Sequence, residues 1–178
     1  HPRVSMEQKQ LPLVIRRMLL EDVAQVYEID KLSFSLPWTE RSFRFEVAEN
    51  SAARTWVAET VNEQGENIIV GMLVLWMILD EAHIGTIATH PDYRRLHIGE
   101  KILANALLDA SQLGANVSML EARRGNTPAL SMYMRFGYQV DGVRPRYYQD
   151  NGEDAILMSL PRLLDADRQA LFRSILQG

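Results

Sequence analysis

The order of predicted strands and helices places this chain in the α/β (α+β) class, as a mixed, mostly antiparallel sheet flanked by helices. Three observations carry that reading. Arg54–Val61, Ile68–Leu79 and Glu81–Thr89 are extended apolar runs separated only by the polar turn 62–67 and by Asp80, the pattern of an antiparallel meander. The stretch Ile87–Lys101, IATHPDYRRLHIGEK, passes from a strand end through a basic turn into a helix whose Ile98, Ile102, Leu103, Ala106 and Leu107 recur at helical spacing. Two closing strands, Tyr138–Tyr148 and Ala155–Leu160, flank Asp150-Asn151-Gly152, whose Asn-Gly pair signals a hairpin turn.

The remaining elements follow in order. Leu13–Arg17 suits a first strand. Val23, Val26, Tyr27, Ile29 and Leu32 mark an amphipathic helix over Leu20–Leu32, with Glu21 and Asp22 in the first turn, where negative charge opposes the helix dipole. Ser33–Trp38 is an unusually apolar loop, and Thr39 is placed to cap a second helix reaching about Asn50. Gly85, isolated inside the third meander strand, predicts a bulge or a close backbone approach. Gly114 stops the helix that starts near His97, and Asn116–Ala122 is the next strand. Thr127-Pro128 caps and starts a helix that ends at Arg135-Phe136-Gly137. Pro161 ends the sheet, and Leu164, Leu171, Phe172 and Ile175 in the tail 161–178 repeat at helical spacing, for a short helix docked on the body or on a partner.

With 178 residues, 47% of them hydrophobic and 24% charged, the chain fits one domain over 1–178. Residues 1–10 are expected to be flexible, and His1–Ser5, ahead of Met6, have the look of an expression-vector remnant. A net charge of -4 and a pI near 5.6 argue against a generic nucleic-acid binder. The chain has no cysteine, which removes disulfides, thiolate metal sites and thiol nucleophiles and permits a reducing compartment. The longest apolar run, Ile68–Leu79, contains Gly71 and is too short to span a bilayer as a helix. No membrane or direct nucleic-acid partner is expected, the location is expected to be cytoplasmic, and the assembly a monomer or weak homodimer.

The basic turn is the chemical centre of the sequence. The first amides of a helix lack intrahelical partners and carry the positive end of its dipole, so a phosphate or diphosphate placed there gains several hydrogen bonds, with Arg94 and Arg95 adding charge beside it. An ordinary strand-to-helix connection with two surface arginines shows the same pattern. His83, His90 and His97 fall in a strand, a turn and a helix start, without ligand spacing to carboxylates or thiolates, and no metal is expected.

Taken together, RRLHIGEKIL, LEARRGNTPALSMYMRFGY and RPRYYQDNGEDAILMSL resemble the GNAT superfamily of acetyl-CoA-dependent N-acetyltransferases, and most of all its RimI-type branch, which acetylates protein amino termini. The resemblance covers Leu13–Leu160, in motif order as well as content. It implies a seven-stranded sheet splayed between its fourth and fifth strands, with the pantetheine arm of acetyl-CoA in the gap. Ile87, Ala88 and Thr89 match the strand segment that pairs with pantetheine. Arg94, Arg95, Leu96, His97, Ile98 and Gly99, with Glu100 following, match the diphosphate loop. His97 stands where the family usually has a glycine, so either the loop tolerates helical φ there or its amide cradle is altered. Asn126 and Tyr133 match positions near the cofactor and its sulfur.

Acetyl transfer to an amine requires a neutral nitrogen, a stabilised oxyanion and a proton for the leaving thiolate. An α-amino group titrates at about 7.7–8.0, a lysine side chain at about 10.4, so a chain terminus is the easier nucleophile near neutral pH. On the resemblance, Glu121 is the base, acting through a water, and Tyr133 the acid. The bland alternatives are a surface carboxylate paired with Arg123 or Arg124, and an aromatic filling the core beside Phe136. Leu36-Pro37 and Tyr147-Tyr148 match two walls of a peptide groove. For Leu36-Pro37-Trp38 the alternative is a hydrophobic staple between helices, and for the tyrosines it is aromatic packing at a strand edge. The expected substrate is a protein or peptide amino terminus, ribosomal proteins included, by direct attack in a ternary complex. The rivals are a GNAT acting on a small-molecule amine or lysine, and a CoA-binding sensor without turnover, for which His97 is the best support.

Overall fold

The computed structural model describes residues 11–178; segment 1–10, expected to be flexible and to begin with a vector remnant, lies outside them. Seven strands form one sheet: β1 (Val14–Arg17), β2 (Ala53–Val61), β3 (Asn67–Ile78), β4 (Glu81–Thr89), β5 (Val117–Arg123), β6 (Gln139–Arg144) and β7 (Ala155–Leu160). Their spatial order is β1-β2-β3-β4-β5-β7-β6, antiparallel throughout except for β4 against β5. That parallel pairing joins only Glu81–His83 to Val117–Met119. Both strands continue beyond it, so the sheet opens between its fourth and fifth members.

The β3–β4 ladder carries a bulge at Gly85: Leu75 pairs with Ile84 and Val74 with Thr86. One extra residue exchanges the faces to which all later side chains point. Ala82 and Ile84 accordingly pack on one side of the sheet, and past the bulge Ile87 takes that side while Ala88 faces the other.

Two cores result. The helices α1 (Val23–Ser33) and α2 (Glu40–Ala48) cover one face, with Val23, Val26, Ile29 and Phe43 set against Met72 and Val74. The helices α3 (Ile98–Gln112), α4 (Thr127–Phe136) and α5 (Ala166–Gln177) cover the other, through Ile102, Leu103, Leu107, Phe136 and Phe172. Each large aliphatic or aromatic side chain buried this way contributes about 1.5–3 kcal/mol. The tail helix docks on the body: Phe172 is fully buried and stacks on Phe136 at 6.0 Å.

Several local expectations shift. Glu21 and Asp22 sit in a 3-10 turn before α1, where the Asp22 carboxylate accepts from the Leu19 amide at 2.8 Å and from both terminal nitrogens of Arg16. The stripe of α1 includes Asp30, which is buried, while Leu32 is exposed. The cap of α4 is Asn126, whose side chain accepts from the Ala129 amide, so Thr127 and Pro128 are its first two residues. Strand β6 ends at Arg144 instead of Tyr148. Asp150, Glu153 and Asp154 turn 145–154 away from the ladder by binding Arg123, the Gly125 amide and Arg124, and the tight Asn151-Gly152 hairpin is replaced by a loop folded over β5.

Candidate active site

A cleft of about 1200 Å³ follows the opening between β4 and β5 and extends over the turn into α3. Its floor is the β4 segment Ile84–Thr89, whose edge toward β5 has no strand partner. Those free backbone groups suit a ligand that carries amides of its own, because buried N–H and C=O groups need partners.

At one end lies the basic turn that leads into α3. A 3-10 turn at Pro91–Tyr93, with the His90 ring accepting from the Asp92 amide, leads into Arg94–His97. Arg95 and His97 both adopt left-handed backbone, at φ 66 and φ 61, immediately before α3. The sequence offered two outcomes for His97, a helical φ or an altered cradle. The histidine instead accepts the left-handed turn itself, at the cost such a conformation imposes on a residue with a Cβ. Its ring, 72% exposed, stands 3.3 Å from Glu100. Arg94 and Arg95 are exposed and make no ion pair among the described residues. A methyl at Gly99 would stand 3.5 Å from Thr89 Oγ1 and 3.6 Å from Met132 Sδ, so the glycine keeps the passage between loop and α4 wide. Amide groups at the start of α3, two arginines and an open floor are a donor set that fits a diphosphate joined to an amide-bearing arm.

Of the predicted cofactor residues, Ile87, Ala88, Thr89, Arg94, Arg95, His97, Ile98, Gly99, Glu100, Asn126 and Tyr133 all line the cleft. Leu96 does not; it packs against the core beneath α3. Glu100 is engaged on the other side by Arg135 at 2.9 Å, a link between α3 and α4 across the cleft mouth that the sequence did not suggest.

Glu121 and Tyr133 reach the cleft from opposite sides of the sheet. Leu120, Ala122 and Tyr133 belong to the core under α3 and α4, so Glu121 projects to the other face. Its neighbour is Arg144, at 3.7 Å, and not Arg123 or Arg124. Arg123 is held by Asp150 and Glu153, and Arg124 by Asp154. Tyr133 is buried, edge-on to Tyr138 at 5.6 Å, and no described residue hydrogen bonds to its hydroxyl, whereas Tyr138 pairs with Ser118. Burial, with a smaller contribution from Tyr148, pushes the Tyr133 phenol far above its ordinary value, so it keeps its proton through the physiological range.

The substrate walls divide. Leu36 and Tyr148 line the cleft, whereas Pro37 and Tyr147 do not. Trp38 is the staple: it meets Phe43 at 5.2 Å across the Thr39 cap and stacks on Trp76 at 5.7 Å. The two loops touch where the Ser35 hydroxyl donates to Asp150. Arg123 lies over the Tyr148 ring at 3.9 Å while binding Asp150, and so fixes the tyrosine wall from below. The three histidines stay apart, each beside a single acid: His83 with Glu81, His90 with Asp92, His97 with Glu100. Sequence reasoning missed Asp30, Thr86 and Arg123; the signal for the first was a carboxylate on the apolar stripe of α1.

Comparison with known proteins gives one consistent neighbourhood. The acetyltransferase (GNAT) family model matches residues 23–138. A Bacillus subtilis protein named provisionally as a ribosomal protein bS18-alanine N-acetyltransferase is 40% identical over 144 residues, 81% of this chain and 92% of that protein. The Escherichia coli ribosomal protein bS18-alanine N-acetyltransferase is 30% identical over 142 residues, 79% of this chain and 91% of its own length. The crystal structure of the Escherichia coli ribosomal-protein-S18-alanine N-acetyltransferase superposes with a TM-score of 0.74 at 26% identity, covering 84% of this chain and 94% of that one.

Proposed function

The chain belongs to the acetyltransferase (GNAT) family, and from that premise we propose that it moves acetyl from acetyl-CoA to the α-amino group of a protein beginning with alanine, ribosomal protein bS18 being the substrate its relatives point to. One observation carries the reading: the sheet opens after His83 and Met119, and the opening is lined from its two faces by a carboxylate, Glu121, and a protonated phenol, Tyr133.

Acetyl-CoA supplies an activated acyl group with a thiolate leaving group. The chain's residues do the rest. The amides and arginines of 94–99 would hold the diphosphate, and the free edge at Ile87–Thr89 would offer partners to the amides of the arm. Glu121 takes a proton from the incoming ammonium through a water, producing the neutral amine that attacks. Tyr133 would donate its proton, or a hydrogen bond, to the departing sulfur, and the second proton shed by the acylated nitrogen balances it, restoring the phenol. Leu36 and Tyr148, both in the cleft lining, would flank the approach of an extended backbone with a small first side chain. A ribosomal substrate places the reaction in the cytoplasm.

The test is a peptide set assayed with acetyl-CoA: the amino-terminal segment of bS18, the same peptide with a blocked terminus and an internal lysine, and a polyamine. Acetylation of the first alone supports the reading. Turnover of the blocked peptide or the polyamine with none of the first would overturn it.

A further inference from the structure

The α1–α2 loop that carries Leu36 into the cleft is an arch standing on one residue. The Phe34 amide donates to the Asp30 backbone carbonyl at 2.9 Å, and the Trp38 amide donates to Asp30 Oδ2 at 2.7 Å. Both feet of the arch 34–38 are therefore fixed to Asp30. The remaining carboxylate oxygen, Oδ1, accepts from Thr86 Oγ1 at 3.2 Å. Thr86 is the residue after the Gly85 bulge, and that bulge is what turns it toward α1. Asp30 is 1% exposed and has no cationic partner among the described residues. Fold stability gives little reason for such a group, because an unpaired buried carboxylate costs free energy even when hydrogen bonded; burial pushes its carboxyl up, against the Trp38 and Thr86 hydrogen bonds. The geometry gives the reason. One carboxylate oxygen accepts from the Trp38 amide and the other from the Thr86 hydroxyl, a two-armed reach across the loop and β4 that serine and alanine lack.

We propose that Asp30 is a positioning and specificity residue, which locks the Leu36 arch to the β4 bulge and so sets the width of the pocket that receives the first side chain of the acceptor. The proposal rests on the peptide-terminus reading above. Trp38 and Trp76 stack behind the arch, and the Trp76 indole donates to Glu46 at 2.8 Å, so the wall cannot retreat into the body of the protein. What can move is the arch itself, and Asp30 is the tie that restrains it. Asp30 touches no reacting atom; it acts through Leu36 and Thr86.

The experiment compares two peptides that differ only in the first residue, alanine or leucine, with the full-length enzyme and the variants Thr86→Val, Asp30→Asn and Asp30→Ala. The isosteric Thr86→Val removes the bond to Oδ1 alone. Expected for Thr86→Val is a fall of at least fivefold in the ratio of kcat/KM for alanine over leucine, through the peptide KM, with the KM for acetyl-CoA within twofold. Asp30→Ala should lower the ratio further, and adding Thr86→Val to it should change nothing more, because the shared bond is already gone. Asp30→Asn, which can accept from the Trp38 amide through Oδ1 and donate from Nδ2 to Thr86 Oγ1, should stay closer to the parent than to Asp30→Ala. Parallel losses on both peptides with an unchanged ratio, or equal effects on the KM of peptide and acetyl-CoA, would overturn the proposal. Should Asp30→Ala not fold, Thr86→Val decides alone. A parent enzyme that acetylates neither peptide removes the functional reading and this proposal together, an outcome distinct from a parent that discriminates and variants that discriminate equally well.

Discussion

Gly85→Ala isolates a tight contact with a rigid side chain beside the site. A methyl built at Gly85 would stand 2.7, 2.9 and 3.0 Å from Cη2, Cζ3 and Cζ2 of Trp76. Carbon atoms pack at about 3.5–4.0 Å, so something must give way by roughly 1 Å. The indole is poorly placed to yield, being stacked on Trp38 and hydrogen bonded to Glu46. Overpacking of this kind costs about 1–3 kcal/mol, while the narrower unfolded ensemble of alanine returns about 0.4–1 kcal/mol. The expected net loss, from the middle of each range, is about 1.3 kcal/mol, which for a domain of this size lowers Tm by roughly 3–5 °C. Thermal and urea unfolding of parent and variant measure it. Trp76→Phe supplies the control, since it removes the three clashing atoms; in that background Gly85→Ala should cost less than about 0.5 kcal/mol. A Tm that does not fall, or a loss equally large in the Trp76→Phe background, would refute the steric account of the bulge.

Three further outcomes are expected. Glu121→Gln should lower kcat by about 10²- to 10⁴-fold and remove one limb of the pH-rate profile, with calorimetric CoA affinity nearly unchanged; a profile of unaltered shape would exclude Glu121 as the base. Tyr148→Ala should raise the peptide KM well above its effect on acetyl-CoA, whereas Tyr147→Ala, outside the cleft lining, should change neither by more than about twofold; steady-state kinetics with both substrates varied would expose a reversed ranking. Asp22→Asn should cost about 2–3 kcal/mol at pH 7, because Arg16 loses a bidentate, largely buried partner. Burial pushes the Asp22 carboxyl up, but Arg16 and the Leu19 amide outweigh it and hold the folded-state value below the ordinary 3.8. Its contribution is thus complete above that value and lost as pH falls through the lower folded-state one, so urea titrations of parent and variant should converge in strong acid and differ by a constant amount near neutrality.

The fold was legible where a local rule and a tertiary demand coincide. Thr39 caps α2 because the Ser42 amide needs an acceptor, Gly114 and Gly137 end helices at φ 101 and φ 105, and the meander folds as its apolar runs and short turns predict. The rule failed at the loop 145–154. Asn-Gly is a strong local hairpin signal, yet it lost to three carboxylates from Asp150, Glu153 and Asp154 that find Arg123, the Gly125 amide and Arg124 on neighbouring elements. No window of sequence contains those pairings, since their partners lie nearly thirty residues upstream.

The cleft divides along the same line. Its basic end is one continuous stretch, Ile87–Glu100, and the chemistry proposed for it follows from helix geometry that a linear reading can supply. Its acceptor end is assembled from α1, the bulge of β4, β5 and the far loop, and there the sequence named wall residues without separating Leu36 and Tyr148, which reach the cleft, from Pro37 and Tyr147, which do not. Two departures from local preference were nevertheless readable as anomalies: Gly85 inside a strand, and Asp30 on an apolar helical stripe. Separately each is a small destabilising choice. In the folded chain they meet, since the bulge at Gly85 rotates Thr86 onto the carboxylate that the stripe should not contain. A residue that violates its own element's pattern is accounted for only when its partner is found, and here both partners border the same opening in the sheet.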